Sequence, residues 1–326
     1  MKRLEIVLVL SLTVFSGGLA MANERQTEYA IVIHGGAGSV TTDPVIIAAR
    51  KEVLEKALKI GVATLEENGT SLDAVEKVIR ILEDSPLFNA GRGGVLTAKG
   101  NNELDATIMN GKTRACGAVG GVTKVRNPIS LARKVMTETR HVLLVAEGAD
   151  VFATQLDDPM IEIVEPEYFR TEKQVERLRR VREKERLSDK EKMGTVGCVA
   201  LDKHGNISAG TSTGGLVNKK HGRLGDSPII GAGTYADNTT CGISCTGVGE
   251  DFIRNAIAYD IHARLYYGKQ EIESAVAKVL GNKDHPIVGG IIGIDHQGTI
   301  TMQFNTGGMA RAAADSNGLH LVETGK

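Results

Sequence analysis

The chain has 326 residues, 39 basic and 40 acidic side chains, and a formal net charge of −1. That balance argues against a nucleic-acid partner, whose phosphates would demand a basic surface. Forty-one per cent hydrophobic residues and 39 glycines describe a loop-rich globular chain long enough for a large core.

The N-terminus, MKRLEIVLVLSLTVFSGGLAMANERQ, has a positive start at Lys2 and Arg3, an apolar run from Ile6 to Phe15, and Ala20-Met21-Ala22 with small residues where a signal peptidase reads. An uncleaved anchor is the rival. The run falls short of the roughly 20 residues a spanning helix needs, and Ser16-Gly17-Gly18 breaks it. The expectation is a signal peptide over residues 1–22 and export, to a periplasm.

YAIVIHGGAG, Tyr29 to Gly38, reads as a buried strand ending in a glycine turn. GGAGSV lacks the third glycine of a dinucleotide loop, and His34 reads as a structural strand-end histidine rather than a base. Helical stretches follow at Val45 to Glu67 and Ser71 to Asp84, the second capped by Thr70. ELDATIMNG and RACGAVGGV read as strands joined in a tight hairpin at Asn110-Gly111. Asn127-Pro128 opens another helix with asparagine as cap, and HVLLVAEG closes this half. From Glu165 to Lys192 both charge signs crowd together, which predicts a solvated connector or a frayed helix.

The second half restarts as strands. A hairpin is predicted to turn at His204-Gly205-Asn206, with further strands in PIIGAGTYAD and CGISCTGVGE. Helices at Asp251 to Tyr267 and Glu271 to Leu280 precede a last hairpin turning at His296-Gln297-Gly298. Strands, helices and strands again in two halves predict an α/β fold of four layers, αββα, with two packed sheets and helices outside. Cys116, Cys198, Cys241 and Cys245 read as small buried residues, and no zinc-finger spacing occurs.

At the junction of connector and strand stands Gly194-Thr195. A threonine hydroxyl needs a base to take its proton. If Thr195 becomes a chain terminus, its own α-amine, with a reference pKa of about 7.7 to 8.0, is that base. Gly194 allows backbone angles that suit strain at the scissile bond. The Thr195 hydroxyl then attacks the Gly194 carbonyl, and water releases the ester.

GTVGCVALDKHGNISAGTSTGG, GRLGDSPIIGAGTYAD, ISCTGVGEDFIR, HGGAG and PLFNAGRGGVLT together resemble the plant-type asparaginase/isoaspartyl peptidase family of N-terminal-nucleophile hydrolases, in the right order from about Tyr29 to Arg311. Departures are the export signal, the long charged tether, and Arg92 and Gly94 in the NAGRGG loop. The resemblance implies an α subunit over residues 23–194, its tether at about 165–193, and a β subunit over 195–326. Both build one αββα domain, and two αβ units associate as a heterotetramer.

By resemblance, Thr195 is the nucleophile and Thr213 orients it. Thr246 and Gly247 form the oxyanion site, where one donor is worth about 3 to 4 kcal/mol of barrier. Arg223 and Asp226 anchor the α-carboxylate and α-amine of the substrate, beside Gly249 and Asn89. With both head groups held, the side-chain carbonyl meets Thr195. The bond cut is therefore a β-amide, in asparagine or in a β-aspartyl dipeptide, and α-peptides are rejected. The segment Leu82 to Arg92 resembles a loop that wraps a sodium ion with backbone carbonyls of Leu82, Glu83, Ser85, Phe88, Ala90 and Arg92; no cofactor is implied for the chemistry. The related glycosylasparaginases carry aspartate before the nucleophile and a tryptophan near the substrate. This chain has Gly194 and no tryptophan. An exported amino-acid-binding protein would have no use for the three threonines.

Overall fold

The computed structural model describes residues 27–184 and 194–326. The signal-peptide expectation and the end of the connector lie outside the described residues. Among the described residues no helix is long and apolar enough to cross a membrane.

The first half runs β1 (Ala30–Gly38), α1 (Pro44–Glu66), α2 (Ser71–Glu83), β2 (Leu104–Asn110), β3 (Cys116–Val122), α3 (Pro128–Glu138), β4 (Leu143–Val145), α4 (Ala146–Thr154) and α5 (Glu172–Lys184). The second continues with β5 (Val196–Leu201), β6 (Ile207–Thr213), β7 (Thr234–Ala236), β8 (Cys241–Gly247), α6 (Gly249–Arg254), α7 (Ile257–Tyr266) and α8 (Ile272–Leu280). It closes with β9 (Gly289–Asp295), β10 (Ile300–Phe304), β11 (Gly308–Asp315) and β12 (His320–Glu323). Eight strands pair in the order β12-β11-β1-β5-β6-β2-β3-β4, and four in the order β10-β9-β8-β7.

Strand parity explains the layers. Along β1, Ile31 and Ile33 join the cluster formed with α1, α2 and α3, whereas Ala30 and Val32 join the cluster shared with the smaller sheet, α7 and α8. A strand covered on both faces has no polar face, so its apolar run is continuous. The same division holds in β5, with Val196, Cys198 and Ala200 on the helix side and Val199 and Leu201 between the sheets. The result is the predicted helix–sheet–sheet–helix order.

Local signals behave as their chemistry requires, with instructive exceptions. Thr70 caps α2 by accepting the Asp73 amide at 3.1 Å. Asn127 stands at the cap of α3 but makes no side-chain capping bond; its amide is turned toward Arg80 and Asp84 instead. The β2–β3 connection is not the tight turn expected at Asn110-Gly111. Asn110 accepts the amides of Lys112 and Thr113, and a five-residue loop follows with Arg114 at φ 58°. The helix expected over Asp251 to Tyr267 is two, split at Ala256, whose φ is 47°.

The largest correction concerns the charged connector. Its first part is packed structure: Phe169, Gln174, Leu178 and Val181 are buried. Residues 174, 178 and 181 recur at helical spacing, so α5 owns a narrow buried stripe beneath its charges. Gln174 donates to the Gly93 carbonyl at 2.8 Å and Arg182 to the Ala98 carbonyl at 2.7 Å, which ties α5 to the loop after α2. All four cysteines are free; three are buried and Cys116 is half-buried.

Candidate active site

Thr195 immediately precedes β5, and the antiparallel register of β5 and β6 pairs Val196 with Ser212. One step outward sets Thr195 beside Thr213 on the face between the sheets, and their hydroxyls lie 3.1 Å apart. The Thr213 hydroxyl also donates toward the Gly194 carbonyl at 3.3 Å and accepts the Gly215 amide at 3.0 Å. Thr213 can therefore accept a hydrogen bond from Thr195 while donating its own to the Gly194 carbonyl.

Asn89 completes the grip on that carbonyl. Its Nδ2 donates to Gly194 O at 2.6 Å and to Gly215 O at 2.8 Å, and its Oδ1 accepts the Val95 amide at 2.9 Å. These three partners fix the amide's orientation, because only the nitrogen can face two carbonyls. Gly36, at φ +102°, passes so close that a Cβ there would lie 2.8 Å from Gly194 Cα.

His34, read from sequence as structural, is fully buried and holds the other end of Thr195. Its Nδ1 lies 3.0 Å from the Thr195 carbonyl, an acceptor, so Nδ1 carries the proton. Nε2 then accepts from Ser244 Oγ at 3.0 Å, behind which stand Thr211 and Thr234 at 2.7 and 2.6 Å in turn. Burial pushes His34 down to about 3, which keeps the ring neutral. Sequence reading had no signal for this relay; its members come from β1, β6, β7 and β8.

Thr195, Thr213, Arg223, Asp226 and Gly247 line one cleft. Asp226 is buried, its Oδ2 has no hydrogen-bond partner among the described residues, and burial pushes its carboxyl up to about 7. Arg223 departs from the free fork expected for a carboxylate. Glu250 takes its Nε and Nη2 at 3.0 and 2.9 Å, so one edge is spoken for and the remainder faces the cleft wall at Gly215 and Gly225. Gly249 packs against both residues: a Cβ there would lie 2.9 Å from Arg223 Nη2, Asp226 N and Asp226 Oδ1. Thr246, at the end of β8, is fully buried with its hydroxyl 3.4 Å from the Ala37 amide, and Gly247 beside it reaches the cleft. The cleft encloses only about 10 Å³, about the space of one water.

The segment from Leu82 to Arg92 curls so that carbonyls converge where only glycine fits. A Cβ on Gly93 would lie 1.9 Å from Phe88 O and 3.0 Å from Ser85 O, and one on Gly91 would lie 2.3 Å from Glu83 O. The Leu82 and Ala90 carbonyls each already accept one amide. A set of neutral carbonyl oxygens suits a hard, weakly charged cation. The Glu83 side chain leaves this loop for the core, where Oε1 accepts Ser212 Oγ at 2.6 Å. Burial pushes its carboxyl up to about 8, and the bond to Ser212 locks the loop to the strand bearing Thr213. Beside Thr213 in β2 lies Asp105, fully buried with Lys219 Nζ at 3.8 Å, a charge pair that the sequence reading missed.

Four layers with a threonine and its glycine at the mouth of the central sheet define the N-terminal-nucleophile hydrolase architecture. Residues 27–323 match the family model described as asparaginase. The chain is 44% identical to an isoaspartyl peptidase of Escherichia coli over 86% of this chain and 91% of that protein. It is 43% identical to a plant-type L-asparaginase of Pyrococcus furiosus over 87% of this chain and 95% of the relative, and 37% identical to an isoaspartyl peptidase/L-asparaginase of Danio rerio over 89% and 94%. This chain belongs to the asparaginase family.

Proposed function

We propose that the protein is a self-processing hydrolase of β-aspartyl amides, releasing ammonia from L-asparagine and the second residue from β-aspartyl dipeptides. The names of its relatives support the activity, and one observation carries the substrate reading. A buried carboxylate oxygen of Asp226 stands unpartnered in the nucleophile's cleft, where a substrate ammonium supplies the missing charge. Arg223 beside it supplies the counter-charge for an α-carboxylate.

In the precursor, the Thr195 hydroxyl adds to the Gly194 carbonyl while Asn89 Nδ2 and Thr213 Oγ carry the developing negative charge. The carbon–nitrogen bond breaks with its nitrogen protonated, leaving an ester and a free amine. Water hydrolyses the ester to a Gly194 carboxylate. The freed amine then serves as base for the same hydroxyl in each turnover. Thr246 Oγ–H and the Gly247 amide stabilise the oxyanion of the substrate. Before the cut, the amide nitrogen cannot act as base and the cleft has no room for an amino acid, so the precursor is inactive on both counts.

The carbonyls of the Leu82 to Arg92 segment would hold a sodium ion that stiffens the loop carrying Asn89. Export and assembly as a dimer of αβ units belong to the same proposal. Thr195→Ala is expected to leave one uncut chain that releases no ammonia from asparagine. A Thr195→Ala protein that still splits before residue 195 would sink the mechanism.

A further inference from the structure

Gly194 stands between two cavities of different character. Thr195, which follows it, opens on the catalytic cleft; Gly194 itself lines a second cavity of about 210 Å³. Arg50 of α1 and Lys173 and Arg177 of α5 reach into that space, and no carboxylate of the described residues lines it. Arg50 Nε is buried and has no hydrogen-bond partner among the described residues. Burial holds Lys173 below its ordinary range, and the two neighbouring guanidiniums push it further down. The unpartnered edge of Arg50 and the Lys173 ammonium in this half-buried space are costly until an anion joins them.

Cleavage makes an anion at this place. Hydrolysis of the Thr195 ester puts the hydroxyl of water on Gly194 and returns the hydrogen to Thr195 Oγ; the new acid loses its proton to solvent. Left where the carbonyl now sits, against Asn89 Nδ2 and near Thr213 Oγ, that carboxylate would occupy the donors around the nucleophile. We propose that the cavity between α1 and α5 is the docking site for the carboxylate released at Gly194, and that docking clears the new chain end from the nucleophile. The move exchanges neutral donors for an ammonium and a guanidinium, whose bonds to carboxylate are stronger. At about 210 Å³, against the roughly 10 to 15 Å³ that a single water needs, the cavity has room for a carboxylate.

This rests on the self-processing reading, and the test separates the two. Matured wild-type protein is treated with a water-soluble carbodiimide and its tryptic peptides are weighed. The expected product is an amide between the Gly194 carboxyl and Lys173 Nζ, absent from Thr195→Ala, which has no carboxyl at that residue. In parallel, carboxypeptidase is expected to trim the α chain of the R50Q/K173Q double variant roughly tenfold faster than that of wild type. One band for wild type on a denaturing gel would mean that self-processing fails. Two bands, no Gly194–Lys173 link and equal trimming in both proteins would overturn the docking site alone.

Discussion

Replacing Asn89 tests whether the Gly194 carbonyl is held for the proposed self-cleavage or merely for shape. Its Nδ2 donates at 2.6 Å to the Gly194 carbonyl oxygen, which in the proposed self-cleavage becomes the oxyanion. Losing one donor at such a position costs about 2.7 to 4 kcal/mol, so Asn89→Ala is expected to mature roughly 10² to 10³ times more slowly. The same truncation strips partners from the Val95 amide and the Gly215 carbonyl, at about 1 to 3 kcal/mol each, so the melting temperature falls as well. Asn89→Asp separates the two effects. It keeps the shape and the acceptor for Val95; when protonated it donates to Gly194 O, and when ionised it cannot. Its cleavage is therefore expected to accelerate as pH falls through the pKa of the introduced carboxyl. The assay is a time course of precursor and fragments on a denaturing gel beside a thermal melt. Maturation of Asn89→Ala within a factor of about three of wild type would refute the role, whatever the melt shows.

Three further outcomes follow from the site. In the proposed substrate reading Asp226 must be ionised to hold the ammonium, and burial raises its carboxyl to about 7. Affinity is then expected to rise up to about tenfold per pH unit below pH 7 and level off above it; KM measured from pH 5 to 9 in wild type and Asp226→Asn checks this, since the variant should lose the slope. Gly249→Ala places a methyl against both anchors, so its self-cleavage is expected to be normal while KM rises roughly 10- to 100-fold, the cost of displacing one charged hydrogen bond. Gly36→Ala crowds Gly194 and strains a left-handed backbone, so a folded but uncut chain is expected; fragments appearing at the wild-type rate would contradict the close approach.

How much of this was legible before the fold was known depended on reach along the chain. Thr195 and Thr213 meet because a short hairpin joins β5 to β6, and turn residues together with alternation specify that register locally. The helix pair, the Thr70 cap and the four layers followed from patterns of similar range. Motif resemblance reached further and named Arg223, Asp226, Thr246 and Gly247 without saying how they stand. The misses were of two kinds. α5 and β11 carry weak local signals, a charge-rich helix with a narrow buried stripe and an alanine-rich strand, and both are held by what they pack against.

The other misses were partnerships. Nothing near Arg223 in the chain announces that Glu250 occupies one of its edges, and nothing near His34 announces Thr195, 161 residues away. Residue types and short-range periodicity settled which groups were available: a hydroxyl beside a glycine, a guanidinium, a carboxylate. Which of them are satisfied and which stand unpaired depended on packing two sheets face to face, because hydrogen bonding and burial are properties of neighbours in space. Asp226 shows the difference, being an ordinary surface-type residue in the chain and an orphaned buried charge in the fold.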